Sequence, residues 1–284
     1  MTTLAAPARP TSTVPAIATA VDRIEPIDLS TLDRHAELQT RKDRKYVVST
    51  EALLMLLGEL PADVRALAID GRRWFGYLSV YFDTDRFDSY RLAAARRPRR
   101  FKVRTRTYLD SDLTVAEVKT KNRRGRTVKH RRRLDGTSAD GGGPVREFAT
   151  EFSETAPYAS ALEPVLTSLY HRATLTLPAD GVRVTIDAGF RCTDADGRST
   201  GLADRFIIET KTDGTPSVAD RLLWRAGHRP EKVSKYATGL AALHPELPAN
   251  RWHPVLSAHF DRPTGGDLRS SRRPLTSRPR GDDS

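Results

Sequence analysis

Hydrophobic and polar residues alternate with a period of two over several stretches of the chain, the spacing that sends successive side chains to opposite faces of a strand. From Arg100 to Tyr108 the basic residues Arg100, Lys102, Arg104 and Arg106 hold the even positions, and Phe101, Val103, Thr105 and Thr107 hold the odd ones. Val115, Glu117, Lys119 and Lys121 share one face of the next run, and later Arg183, Thr185 and Asp187 oppose Val182, Val184 and Ile186. Strands are expected at residues 41–48, 74–83, 99–109, 113–121, 126–133, 170–177, 182–187 and 204–211. Short turns at 110–112 and 122–125 favour antiparallel pairing of the runs they join.

Helical stretches fall between these runs. Ser49 or Thr50 can cap a helix that Pro61 ends, and a short helix is expected at 85–95. The Gly141-Gly-Gly-Pro144 stretch reads as a loop, followed by two helices between 145 and 168. Two more helices, near 217–226 and 234–243, close the domain. Residues 1–37, rich in Pro, Thr and Ala, read as a disordered N-terminal segment. Residues 38–245 form the domain, and residues 246–284 a mostly disordered basic C-terminal tail.

Charge sharpens this pattern. Residues 96–133 carry sixteen Lys and Arg against three Asp and Glu, whereas the whole chain is only +11. Positive charge is therefore gathered in one region, which an anionic ligand must neutralise. An ordinary sandwich would turn such faces to water. Repetition of the basic face on neighbouring strands, where like charges repel, favours a different arrangement. In that arrangement an antiparallel barrel turns its apolar faces outward under helices and lines its lumen with the basic ones.

The single cysteine, Cys192, excludes an internal disulfide framework and agrees with a cytoplasmic location. No run is long and apolar enough for a membrane span, and no signal peptide is evident. The glycine triplet lacks the Gly-Lys-Ser/Thr of a phosphate-binding loop, and the histidines show no zinc-site spacing. Few aromatics interleave the basic runs, so nucleic acid is expected only as a nonspecific ligand of the C-terminal tail.

An ordered set of short motifs resembles one family. These are Lys45-Tyr-Val47, Ser79-Val-Tyr-Phe-Asp83, Val103-Arg-Thr-Arg-Thr-Tyr108, Glu117-Val-Lys119, Thr127-Val-Lys129, Tyr170-His-Arg172, Val182-Arg-Val-Thr-Ile-Asp187, Glu209-Thr-Lys211 and Lys232-Val-Ser-Lys-Tyr236. Each is weak alone; their order resembles a VTC domain, the catalytic module of the eukaryotic vacuolar polyphosphate polymerase, within the triphosphate tunnel superfamily. The resemblance implies an α+β fold built on an eight-stranded antiparallel β-barrel, or tunnel, flanked by helices. Its basic lumen would bind ATP, triphosphate or polyphosphate with Mn2+ or Mg2+.

Residue by residue, the resemblance implies that Lys45, Arg104, Arg106, Lys119, Lys129, Arg172 and Arg183 act on the phosphates in catalysis. Tyr170, Lys211, Lys232 and Lys235 would bind substrate, and Glu209 and Glu117 would hold metal. The chain departs from the Glu-x-Glu-x-Lys strand of the related triphosphatases, offering only Asp43 before Lys45. No counterpart of the SPX domain or membrane helices of the eukaryotic complex is seen. The leading expectation is a phosphotransferase that passes the ATP γ-phosphate to polyphosphate. The alternatives are an inorganic or organic triphosphatase and a non-catalytic polyphosphate sensor.

Overall fold

The computed structural model describes residues 14–34, 42–121, 127–134 and 142–265. Its frame is one large, mainly antiparallel sheet. The strands are β1 (Pro26–Ile27), β2 (Lys42–Ser49), β3 (Arg65–Leu67), β4 (Phe75–Asp83), β5 (Arg100–Tyr108), β6 (Leu113–Lys121), β7 (Thr127–Leu134), β8 (Glu163–Leu177), β9 (Val182–Asp194), β10 (Ser199–Gly201) and β11 (Arg205–Thr212). The principal path runs β2-β11-β9-β8-β4-β5-β6-β7, with the short β1, β3 and β10 attached to its side. The helices are α1 (Val14–Asp22), α2 (Leu29–Arg34), α3 (Thr50–Glu59), α4 (Asp88–Ala94), α5 (Gly142–Thr150), α6 (Val218–Arg225), α7 (Lys235–Leu243) and α8 (His253–His259).

The expected closed barrel of eight strands is not what the pairing gives. The path does contain eight strands, but the sheet has eleven, and β2 and β7 remain its two edges among the described residues. The backbone N–H of Glu231 donates to the Lys45 carbonyl at 2.7 Å, so the segment between α6 and α7 covers part of the β2 edge. The sheet is strongly curved nonetheless. Charges at Asp43 and Lys45 on β2 and at Glu209 on β11 act on Lys119 of β6, far along the strand order.

Strand parity decides which residues enter the core. The convex face is apolar and covered by helices, as the alternation predicts. Phe101, Val103, Ala116 and Val118 pack beneath Val145 and Phe148 of α5. Val48, Val184, Ile186 and Ile208 pack beneath Ile17 and Val21 of α1, Leu53 and Leu56 of α3, and Leu222 and Leu223 of α6. Ser49 caps α3, accepting from the Ala52 N–H at 3.3 Å, and Ser217 and Asp220 form a capping box on α6.

The concave face is divided. Val47, Tyr81, Tyr170, Phe190 and Ile207 on that face lie under Tyr236, Ala237 and Leu240 of α7, so one part of the concavity is filled by an apolar plug. The rest carries the charged residues. Asp83 fastens the plug. Buried in full, it accepts from the backbone N–H groups of Thr84, Ser89 and Tyr90 and from the Tyr236 hydroxyl, joining β4 to α4 and α7.

Four expectations need correction. Part of the N-terminal segment expected to be disordered is the helix α1, because Ile17 and Val21, one helical turn apart, both bury in the core. Part of the expected C-terminal tail is α8, since Trp252 and Val255 bury there and Trp252 packs at 5.3 Å from the Tyr90 ring. Glu163–Leu177 is one long strand, not a helix leading into a strand, because β4 and β9 pair along its length. The glycine loop is also shorter than expected: α5 already includes Gly142 and Gly143. The expected turn at 122–125 and residues 266–284 of the tail lie outside the described residues.

Candidate phosphate-binding site

The site is a lattice set by strand register. Across β5, β6 and β7, Arg100, Lys121 and Thr127 form one row; Lys102, Lys119 and Lys129 the next; Arg104, Glu117 and Arg131 the third; Arg106, Val115 and Arg133 the fourth. All these positions share one face. Neighbouring strands lie about 4.8 Å apart, so each row holds side chains close enough to grip one anionic group together.

Glu117 is the hub of this wall. Only 2% exposed, it meets Arg104 at 2.5 Å, Lys129 at 2.6 Å, Arg131 at 2.9 Å and Arg106 at 3.9 Å. Burial alone would raise its pKa, but these cations hold the carboxyl far below the ordinary range. One carboxylate among four cations leaves a surplus of positive charge. Lys129 and Arg131, 40% and 48% exposed, present that surplus to solvent.

A second carboxylate organises the opposite wall. Asp187 of β9 accepts two hydrogen bonds from Arg172 of β8, at 2.5 and 2.8 Å, and one from Lys235 at the start of α7. Burial opposes ionisation, yet Arg172 and Lys235 hold the Asp187 carboxyl down at about 2. Tyr170 lies beneath this group, buried, with its ring stacked on Tyr77 at 5.3 Å and with Lys235 and Arg172 over its face at 4.3 and 5.4 Å. Burial opposes this as well, but Arg106, Arg172 and Lys235 lower the pKa of its hydroxyl.

The third group sits on β2 and β11. Glu209 meets Lys45 at 2.9 Å and Lys211 at 3.7 Å, and Asp43 stands opposite Lys211 in the register. Despite burial, Lys45, Lys211 and Arg172 keep Glu209 ionised well below its usual range. Nearby on this face, the Thr185 hydroxyl is buried without a hydrogen-bond partner among the described residues. So are the hydroxyls of Ser79 and Ser168 and the Arg106 Nε. Buried polar atoms of this kind ordinarily find a partner.

The structure thus brings together Lys45, Arg104, Arg106, Lys119, Lys129, Tyr170, Arg172, Lys211, Lys235, Glu117 and Glu209 on one concave face. Two expected members sit apart. Arg183 shares the face but is engaged at its margin, donating to the Leu32 carbonyl of α2 at 3.2 Å. Lys232 is not on the helix with Lys235; it is exposed on the segment before α7. Arg131, Asp187 and Tyr77 are members that the sequence reading left out. Arg131 and Asp187 share by parity the faces of Lys129 and Arg183, the residues that the resemblance singles out. Tyr77, on β4, shows its place only through the ring stack.

The two carboxylates singled out for metal differ in fitness. Glu117 has its oxygens committed to guanidinium and ammonium groups and does not suit a divalent cation. Glu209, paired with Lys45 and Lys211 and with Asp43 on the same face, can give one carboxylate ligand to a hard cation. Among the described residues no group of three or more His, Cys, Asp and Glu could hold a metal. Such a cation would take most of its ligands from phosphate oxygens and water, as Mg2+ commonly does.

Comparisons with known proteins were informative at the family level. Solved structures with a related outline include a candidate adenylate cyclase from Vibrio parahaemolyticus, 14% identical over 66% of this chain and 87% of its own, with a TM-score of 0.38. Another is a candidate adenylyl cyclase from Hippeastrum, described as having a dominant triphosphatase activity. It is 14% identical over 69% of this chain and 93% of its own, with a TM-score of 0.44. No curated protein matches the chain. Among the described residues no helix is long and apolar enough to cross a membrane. The VTC domain family model matches residues 40–244, which span the whole principal sheet, α3 to α7 and every charged group described above; the chain belongs to the VTC domain family.

Proposed function

We propose that the chain is a metal-dependent phosphotransferase of the triphosphate tunnel type, passing the γ-phosphoryl group of ATP to a polyphosphate chain. The observation that carries this reading is the basic lattice of β5, β6 and β7. From Arg100 to Arg106 it follows roughly 20 Å of strand, longer than a triphosphate and suited to a polymer. A triphosphatase needs only part of that length, and a sensor needs no metal carboxylate.

Phosphoryl transfer asks the protein for positioning and charge neutralisation more than for covalent chemistry. A terminal oxygen of the polyphosphate attacks the γ-phosphorus in line. The bond from that phosphorus to the β,γ-bridging oxygen breaks, and ADP leaves with the electron pair. Arg104, Arg106 and Arg172 offer the non-bridging oxygens the N–H donors that Glu117 and Asp187 leave free. Lys45, Lys119, Lys129, Lys211 and Lys235 add point charges, and Tyr170 keeps Arg172 and Lys235 in place. Glu209 would hold Mn2+ or Mg2+, which supplies further neutralisation of the phosphate oxygens. Arg183 and Lys232 would act at the margins, on parts of the anion outside the central lattice.

The test is incubation of the purified protein with ATP and Mn2+ or Mg2+, followed by separation of long polyphosphate from orthophosphate. Polymer formation that falls at least about a hundredfold in Arg104→Ala and Glu209→Ala is the expected result. Orthophosphate without polymer would replace this reading by a triphosphatase. Tight polyphosphate binding without turnover would replace it by a sensor.

A further inference from the structure

Lys102 belongs to the lattice by register, yet the motifs give it no role. It stands directly across β5 and β6 from Lys119, which stands directly across from Lys129, so three lysines form one row. Like charges placed opposite one another in a sheet destabilise it. The neighbouring row is relieved by Glu117, which also reaches Lys129; the lysine row has no carboxylate of its own. Lys102 makes one hydrogen bond, from Nζ to the Ser234 hydroxyl at 2.7 Å, and forms no ion pair within 4.0 Å among the described residues. An ammonium group has three protons to donate, so a single neutral acceptor leaves most of its capacity and all of its charge unanswered.

We propose that Lys102 is a further phosphate-binding residue, completing with Lys119 and Lys129 a subsite for one phosphate group of a linear polyphosphate. This rests on the reading of the concave face as a polyphosphate site. The neighbours of Lys102 support it. Burial pushes its pKa down to about 7, and Lys119, Arg104, Lys45 and Arg100, from β6, β5 and β2, add to this by pressing positive charge on it. A phosphate group at the row would reverse that pressure and take the free ammonium protons. Ser234, the N-cap of α7, holds the Lys102 side chain in line with the row and so acts as a positioning residue.

The competing account is that Lys102 only anchors the start of α7 through Ser234. Calorimetric titration of the full chain with sodium tripolyphosphate and with long-chain polyphosphate, in metal-free buffer at pH 6.5, separates the two. The proposal expects Lys102→Met to bind long polyphosphate about tenfold or more weakly. It expects Lys102→Arg to stay within about threefold of the unaltered chain, since the charge and its donors remain. It also expects the ligand-free melting temperature of Lys102→Met to be unchanged or higher, because a cation crowded by cations has gone. Unaltered affinity in Lys102→Met overturns the proposal. So does an equal loss of affinity in Lys102→Met and Ser234→Ala with a lowered ligand-free melting temperature, which marks an anchor. If the unaltered chain binds neither anion, the polyphosphate reading falls and the proposal with it. If it binds both but makes no polymer, only the transferase reading falls.

Discussion

The two buried carboxylates on the concave face, Asp187 and Glu117, have nearly equal burial and opposite consequences. Asp187, 1% exposed, is shared by Arg172 and Lys235, themselves only 13% and 12% exposed, so this wall carries one surplus positive charge in a tightly held group. Glu117 is shared by four cations, two of which reach solvent. The first arrangement fixes geometry; the second leaves a reserve of positive charge at the surface. The lesson is that a buried acid in a basic site can serve as a rivet or as a spacer, and that the number and exposure of its partners tell which.

The largest expected effect breaks the rivet. Asp187→Asn leaves Arg172 and Lys235 buried without their counter-ion and should cost about 3–5 kcal/mol of stability, read by urea denaturation. Tripolyphosphate should restore less of it than at the other wall, because Arg172 and Lys235 are far less exposed than Lys129 and Arg131. Glu117→Gln should also destabilise the ligand-free protein, by about 3 kcal/mol. Here tripolyphosphate should recover most of the loss, because Lys129 and Arg131 are free to meet it. Equal recovery in the two variants would erase the distinction between the walls.

pH sharpens the comparison further. The folded pKa of Asp187 lies below its unfolded value of about 3.9, so its stabilisation is complete above that value and is lost as pH falls through about 2. Lys102 has the opposite sense: its folded pKa of about 7 lies below an unfolded value of about 10.4. The unfolded chain then binds more protons between those values, and the Lys102 contribution makes the ligand-free protein more stable as pH rises from 7 to 10. Denaturation midpoints followed across both windows should lose the acid component in Asp187→Asn and a part of the alkaline rise in Lys102→Met. The smallest effect is expected at the exposed rim. Arg131→Ala should change stability by less than about 1 kcal/mol while weakening polyphosphate binding about tenfold in calorimetry.

Much of this face could be read from parity alone. Arg104, Arg106, Lys119 and Lys129 point inward where the period of two put them, and the apolar odd positions of β5 lie under α5. What could not be read depends on long-range pairing. Nothing local in Glu163–Leu169 announces a strand; β4 and β9 impose it. The division of the concave face was equally hidden, because Val47 and Ile207 alternate with Lys45 and Glu209 as any core residue would. Only the seat of α7 shows that their end of the face is plugged. The resemblance offers Glu117 as a metal ligand; the four cations that crowd it come from β5 and β7 through pairing the motif does not show.

The edge at β7, unpaired among the described residues, has a consequence for behaviour in bulk solution. An unpaired strand edge is an invitation to edge-to-edge association between copies, and β7 declines it by carrying Lys129 and Arg131 at alternate positions, so that two such edges repel. A polyanion that neutralises these residues also removes the repulsion. On the proposed reading, colloidal stability and anion binding draw on the same few side chains, and long polyphosphate would bring the protein closest to self-association.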